Sequence, residues 1–171
     1  RRVLFRSGPD PASSVACTVG GVLADNSSGM SCGTIANSYQ TLESMVIVLA
    51  SGTVLDTADP DADDKLCSTE PELVETLLRL RETCRRPEHA ERIRHLFSMK
   101  NTMGYGLNSF LDHDSPSQIL SHLMIGSEGT LGFIASAVMR TLPVMPQIST
   151  ALLHFPTLES ATTALPALLE S

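Results

Sequence analysis

The sequence predicts an α+β fold, an antiparallel sheet flanked by helices, on three observations. First, an almost wholly apolar run, Met45 to Leu49, meets a Ser51-Gly52 turn and then the β-branched segment TVLDT, which is a hairpin signature. Second, STEPELVETLLRLRETCRR repeats its apolar residues at helical spacing. Third, LGFIASAVMRTLP alternates well enough for a further strand, with Pro143 closing it. Strands in hairpins with helices segregated between them mark the α+β class rather than alternating β/α units.

The elements follow in order. The hairpin spans Ser44 to Thr57, and its first strand is apolar enough to be buried on both faces. The helix after it has Ser68 or Thr69 as a cap and Pro71 in its first turn. Leu73, Leu77, Leu80 and Cys84 form its apolar face, and Glu75 pairs with Arg79 at i,i+4. Pro87 ends it. EHAERIRHLFSM reads as a weaker helix with Ile93, Leu96 and Phe97 inward. Both helices read as a peripheral surface insertion at about 69–99. SPSQILSHLMIG begins with a capping serine and a proline at the first helical position, which predicts a short helix. Beyond Pro143 and Pro146, STALLHFP reads as a strand and TLESATTALPALLES as a helix, so a new domain is expected from about Gln147.

Of the 171 residues, 42% are hydrophobic and 18% charged, within the globular range. A net charge of −7 argues against a nucleic-acid surface, which needs clustered Lys and Arg. The acids of DTADPDADD, Asp56 to Asp64, read as a solvated loop. No apolar run reaches the roughly 18 residues that span a bilayer, and no signal peptide is expected from these residues. Four cysteines, Cys17, Cys32, Cys67 and Cys84, are too widely spaced for a zinc or iron–sulfur motif and are expected as free thiols. The five histidines are scattered and receive no role. The chain lacks an initiator Met and opens on RRVLFRS, which resembles the translation of a sequencing adapter. Residues 1–7 are therefore set aside as a non-native leader. With its last helix stopping without a stop signal, the chain is expected to be an internal fragment of a longer protein.

Two glycine-rich stretches carry the chemistry. GGVLADNSSGMSCGTIANS, Gly20 to Ser38, offers bare backbone and short polar side chains that suit a polar, flat or phosphorylated ligand; a plain mobile loop is the competing explanation. It has neither the dinucleotide-binding nor the P-loop spacing. GSEGTLGFI, Gly126 to Ile134, places three glycines at the head of an apolar strand, a sign of a bulge or of close approach by something flat, or simply of a tight turn. Glu128 is its sole charge, and a carboxylate there is expected to bond nearby backbone N–H groups.

Together, GPDPAS…GGVLADNSSG…CGTIANSYQTLESM and KNTMGYGLNSFLD…GSEGTLGFI resemble the PCMH-type FAD-binding domain of the vanillyl-alcohol-oxidase superfamily. Within it they are most similar to bacterial flavin-dependent D-lactate and D-2-hydroxyacid dehydrogenases. The resemblance runs from about Gly8 to the last residue, and the Gly104-Tyr105 pair leading to GSEGTLG is specific to that branch. The helix SPSQILSHL resembles the large bacterial members that also carry an iron–sulfur domain.

The resemblance implies the second subdomain of the FAD-binding domain over 8–146 and the start of an α+β cap domain over 147–171. It implies non-covalent FAD contact by Gly21, Asn26, Ser27, Ser28, Gly29, Gly33, Thr34 and Asn37, and by Glu128, Gly129 and Ile134 in the second stretch. Asp25 departs from the family pattern, where Asn or Thr is usual, and is left outside this set, because a carboxylate near an anionic reduced flavin is unfavourable unless it points away. No catalytic residue is expected here. The pyrophosphate loop would precede Gly8, and the proton-accepting base, a divalent metal and any iron–sulfur cluster would lie in other parts of the parent. The implied reaction is hydride transfer from C2 of a small D-2-hydroxyacid to flavin N5, with electrons passing to a quinone or cytochrome chain rather than to NAD. A cytoplasmic location, membrane-associated through that acceptor, follows from the same resemblance. The alternatives are another oxidase of the superfamily and a non-catalytic interaction module.

Overall fold

The structure, a computed structural model, describes residues 5–144, 147 and 149–169. It is a mixed α+β fold with antiparallel sheets. The element order is β1 (Phe5–Arg6), α1 (Val19–Asp25), α2 (Ser38–Thr41), β2 (Leu42–Val48), β3 (Val54–Asp56), α3 (Ala62–Thr69), α4 (Pro71–Cys84), α5 (Pro87–Phe97), α6 (Ser109–Asp112), α7 (Pro116–Met124), β4 (Phe133–Met139), β5 (Leu142–Pro143) and α8 (Leu158–Leu169). A two-stranded ribbon pairs β1 with β5.

The main sheet has the order β3-β2-β4, antiparallel throughout. The apolar run of β2 is explained by its central place, where neighbours cover both edges and helices cover one face. Met45, Ile47, Leu49 and Leu55 meet Leu66 of α3, Val74 and Leu77 of α4, Phe110 of α6 and Ile119, Leu120 and Met124 of α7 in one core. Ile47 and Ile119 are fully buried, each contributing about 1.5–3 kcal/mol by transfer from water. On β4, Ser136 faces Val46 and Ile134 faces Ile47, so Ala135 is the extra residue of a bulge. A bulge bends its strand and re-aims the side chains beside it, here Phe133 and Ile134.

Several expectations are corrected. Gly20–Ser38 is not irregular throughout, since Val19–Asp25 is helical. The acid-rich segment runs straight into α3, with Asp63 and Asp64 in the first turn, where carboxylates favour the positive end of the helix dipole. Ser68 and Thr69 close α3 instead of capping α4, and both hydroxyls donate to the Lys65 carbonyl. Pro71 does open α4, after Glu70. Leu80 and Leu96 are each 42% exposed. Phe97 is half-buried. Val74 and Leu77 of α4 are in the core and Leu73, Leu78 and Cys84 pack against it, so of the expected face only Leu80 departs and that helix is part of the core; α5 remains peripheral, with Ala90 and Ile93 buried. Among the described residues of 149–156 there is no strand. The Ser115 cap of α7 forms as expected, its Oγ accepting from Gln118 N at 3.4 Å.

Candidate functional site

The site is built on α1 and on the turn before β4. Thr18 starts α1, its Oγ1 accepting from Gly21 N at 3.0 Å. Asn26 ends it in the left-handed region, φ 56° and ψ 37°. Asn26 N donates to Leu23 O at 3.1 Å and Ser27 N to Val22 O at 2.9 Å, the paired bonds of a Schellman end. The carbonyls of this last turn also receive a segment about a hundred residues away. Gly126 N donates to Leu23 O at 3.1 Å and Glu128 N to Ala24 O at 2.9 Å. The two glycine stretches are thereby joined side by side through main chain.

The turn is braced from within and from behind. Ser127 Oγ donates to Met124 O at 2.8 Å, and Thr130 N donates to Ser127 O at 2.9 Å. The Tyr105 and Thr130 hydroxyls share a hydrogen bond at 2.7 Å. Glu128 and Gly129 both have positive φ, 53° and 76°. Glu128 does not bond nearby N–H groups as expected of its side chain. Its carboxyl faces that of Asp25, and sharing a hydrogen bond with that acid, with smaller effects of burial and charge, pushes its pKa up. The Ser27 hydroxyl donates to the same Asp25 carboxylate.

Seven of the eleven sequence-derived site residues line one of two hollows. Gly21, Glu128, Gly129 and Ile134 line an open groove of about 540 Å³, together with Thr18, Gly20, Ala24, Gly132 and Phe133. Asn26, Thr34 and Asn37 line a separate, narrow recess of about 30 Å³, with Tyr39, Gln40, Asn101, Asn108 and others. Ser27, Ser28, Gly29 and Gly33 line neither. Ser28 is buried and its carbonyl accepts from Asp10 N at 3.2 Å. Gly29 answers to its own chain, for a Cβ there would collide with the Asp10 carbonyl and carboxylate. Asn37 Oδ1 caps α2 by accepting from Gln40 N at 2.9 Å.

The groove fits a flat ring. Its floor is main chain and small residues, with Phe133 and Ile134 as an apolar wall. A Cβ on Gly20 would stand 3.6 Å from Ile134 O and narrow it. Around Gly129 nothing lies within 4 Å of where a Cβ would be. The Gly129 N–H has no partner among the described residues and is free to donate to a heterocycle's edge. Among the described residues no Lys or Arg lines the groove, which suits an uncharged ring system rather than phosphates. No group of three or more His, Cys, Asp or Glu among the described residues could hold a metal ion, and no helix among them is long and apolar enough to cross a membrane.

Residues 3–58 match the family model of an FAD binding domain. FAD is the cofactor this match assigns, and an FAD-linked oxidoreductase is the class it supports. No curated protein and no solved structure matches the chain. The matched stretch contains α1 and ends just past β3, so the first wall of the groove lies inside it and the GSEG turn lies outside.

Sequence reasoning missed Thr18, Gly20, Ala24, Gly132 and Phe133 as groove residues. The helical phase of α1 places Gly20, Gly21 and Ala24 on one side, a signal visible only once the segment is known to be helical. It also missed the recess. Asn26 Oδ1 and Asn108 Oδ1 are buried there without hydrogen-bond partners, and Tyr39 Oη donates to Asp112 at 2.8 Å beside two stacked histidines.

Proposed function

We propose that the chain is the flavin-facing part of an FAD-dependent dehydrogenase that oxidises a D-2-hydroxyacid, D-lactate foremost, and passes electrons to an acceptor other than NAD. The observation that carries the flavin reading is the pair of bonds from Gly126 N and Glu128 N to the α1 carbonyls, which makes one glycine-floored groove from two distant stretches. The substrate class rests on the resemblance of the Gly104-Tyr105 and GSEGTLG segments to the D-2-hydroxyacid branch.

When bound, the flavin supplies a two-electron acceptor. The chain's own residues hold and position it. Gly20, Gly21, Ala24 and Gly129 would let the ring approach main chain, the Gly129 N–H would be free to donate to it, and Phe133 and Ile134 would flank it with apolar surface. Among the described residues Glu128 is the sole ionisable group lining the groove, and a shared hydrogen bond with Asp25 raises its pKa. No residue here is assigned the proton transfer. Location in the cytoplasm, with membrane association through a quinone or cytochrome acceptor, belongs to the same proposal.

The test is the visible spectrum of the longer protein from which, on this reading, these residues come. Flavin bands that bleach anaerobically on addition of D-lactate, and not L-lactate, are the expected result. Bands that bleach only with another class of substrate would overturn the hydroxyacid assignment, and a protein that takes up no FAD would overturn the flavin reading.

A further inference from the structure

We propose that His113 and His122 form an acid-released latch, which holds the segment 106–114, and with it one wall of the amide-lined recess, closed at neutral pH. The proposal does not depend on the flavin reading.

The two imidazoles stack with centroids 4.0 Å apart and planes at 33°, and Tyr39 meets His122 edge-on at 4.8 Å. His122 is buried and His113 half-buried. The Nδ1–H of His122 donates to Gln118 O at 2.9 Å, one turn earlier on α7. That bond fixes the neutral tautomer, so any further proton enters at Nε2 of this buried ring. Two neutral rings stack favourably. One protonated ring is a buried charge, and two are like charges about 4 Å apart.

The groups facing the pair are few. Asp112 of α6 accepts from Tyr39 Oη of α2 at 2.8 Å and from Asn108 Nδ2 at 3.1 Å. Asp114 pairs with Arg85, which caps the C-terminus of α4, at 2.7 Å. Arg85 also donates to the carbonyls of Phe110 and His113, both at 2.8 Å, and Arg81 of α4 donates to the Asp114 carbonyl. Asp63 of α3 is committed to Ser115 and Ser117 at the head of α7. Asp112 and Asp114 favour a protonated His113, yet burial outweighs them and lowers its pKa. For His122, burial and then the His113 charge lower the pKa to about 4, against the opposing bond to Gln118 and the Asp112 charge. Because the folded pKa is depressed, stability is full above the ordinary value and falls as pH drops from about 6.5 towards 4.

The latched segment carries Gly106 and Asn108 of the recess wall, and a Cβ on Gly106 would touch Tyr39 and the His122 carbonyl at 3.5 Å. Its own turns rest on Ser109 N to Gly106 O, Leu111 N to Asn108 O and His113 N to Ser109 O, and Arg81, Arg85 and Tyr39 tie it to its neighbours, with Phe110 in the core. Charging the rings works against these ties at the His113–His122 contact, so the segment that carries His113 is the part expected to open.

Amide hydrogen exchange on the intact protein at about pH 7.5 and about pH 5, corrected for intrinsic exchange, tests this. If opening restores an ordinary pKa to His122, protection of the 109–113 amides falls about 30-fold at the lower pH relative to β2. His122→Asn keeps a donor to Gln118 O but cannot charge, and is expected to flatten the profile. Should that variant not fold, His113→Phe is expected to shrink the loss of protection at about pH 5, because without the like charge protonating His122 in the closed state costs less. Equal loss of protection in 109–113 and β2, or an unchanged profile in either variant, would overturn the latch.

Discussion

Gly129→Val separates a groove that serves a ligand from a turn that serves only the fold. Gly129 has φ 76°, and a Cβ built on it meets nothing within 4 Å. The substitution therefore causes no clash in the protein itself. Its structural cost is the left-handed backbone of a β-branched residue, about 1–3 kcal/mol. A domain with a margin of about 5–15 kcal/mol survives that. The valine methyls, however, project into the space a ring needs and cover the free N–H. The intact flavoprotein is expected to fold, with its denaturation midpoint lowered and its m-value unchanged, and to purify without flavin, read from visible against protein absorbance. Gly129→Asn adds similar bulk with less strain, because Asn visits the left-handed region more readily, and should lose flavin as well. Ser136→Val, at an exposed position on β4 past the bulge, should keep it. Full flavin in Gly129→Val would show that the turn does not face the cofactor, and Glu128, Gly129 and Ile134 would be withdrawn together.

Other expectations follow from the same geometry. Arg85→Ala removes bonds to two carbonyls and to Asp114, and is expected to cost about 1–3 kcal/mol in urea denaturation, with Arg85→Lys failing to restore it because a single ammonium cannot serve three acceptors in that fork. Burial pushes the Asp63 carboxyl up, but bonds from Ser115 and Ser117 outweigh it and hold the pKa below the ordinary value. That contribution is present above the ordinary carboxylate range and is lost as pH falls through the depressed value; Asp63→Asn should flatten this acid limb and lower stability by about 1–3 kcal/mol. The isolated 171-residue chain with added FAD is expected not to reduce a dye with D-lactate; turnover above a no-protein control would show that it contains the proton-accepting base assigned elsewhere.

What was legible in the sequence depended on whether a signal was local. The hairpin around Gly52 and the start of α4 at Pro71 announce themselves, because turn and first-turn chemistry act over a few residues. The segment VGGVLAD does not, since seven residues with two glycines hold no helix unaided; its last turn is stabilised by amides from residues 126 and 128. Leu80 and Leu96 fit an apolar stripe by spacing, yet only the set of neighbours decides which side of that stripe is covered. For the site, composition and resemblance pointed at both glycine stretches. They could not separate groove from recess, or show that Gly29 is needed by Asp10, because those are matters of which backbone lies against which. The histidine stack was invisible for the same reason, nine residues apart in sequence and in contact only through the turn between α6 and α7.

The bonds from Gly126 and Glu128 to α1 also bear on affinity. Both walls of the groove are anchored to ordered elements, one a helix end and the other a turn that leads within a few residues into β4, zipped along β2. A planar guest entering between them freezes few rotors, since glycine and alanine have no side-chain freedom to lose. The binding free energy is then not eroded by loop ordering, and what distinguishes a tight guest from a weak one is its dissociation rate. A flexible rim would trade that residence time for tolerance of many shapes.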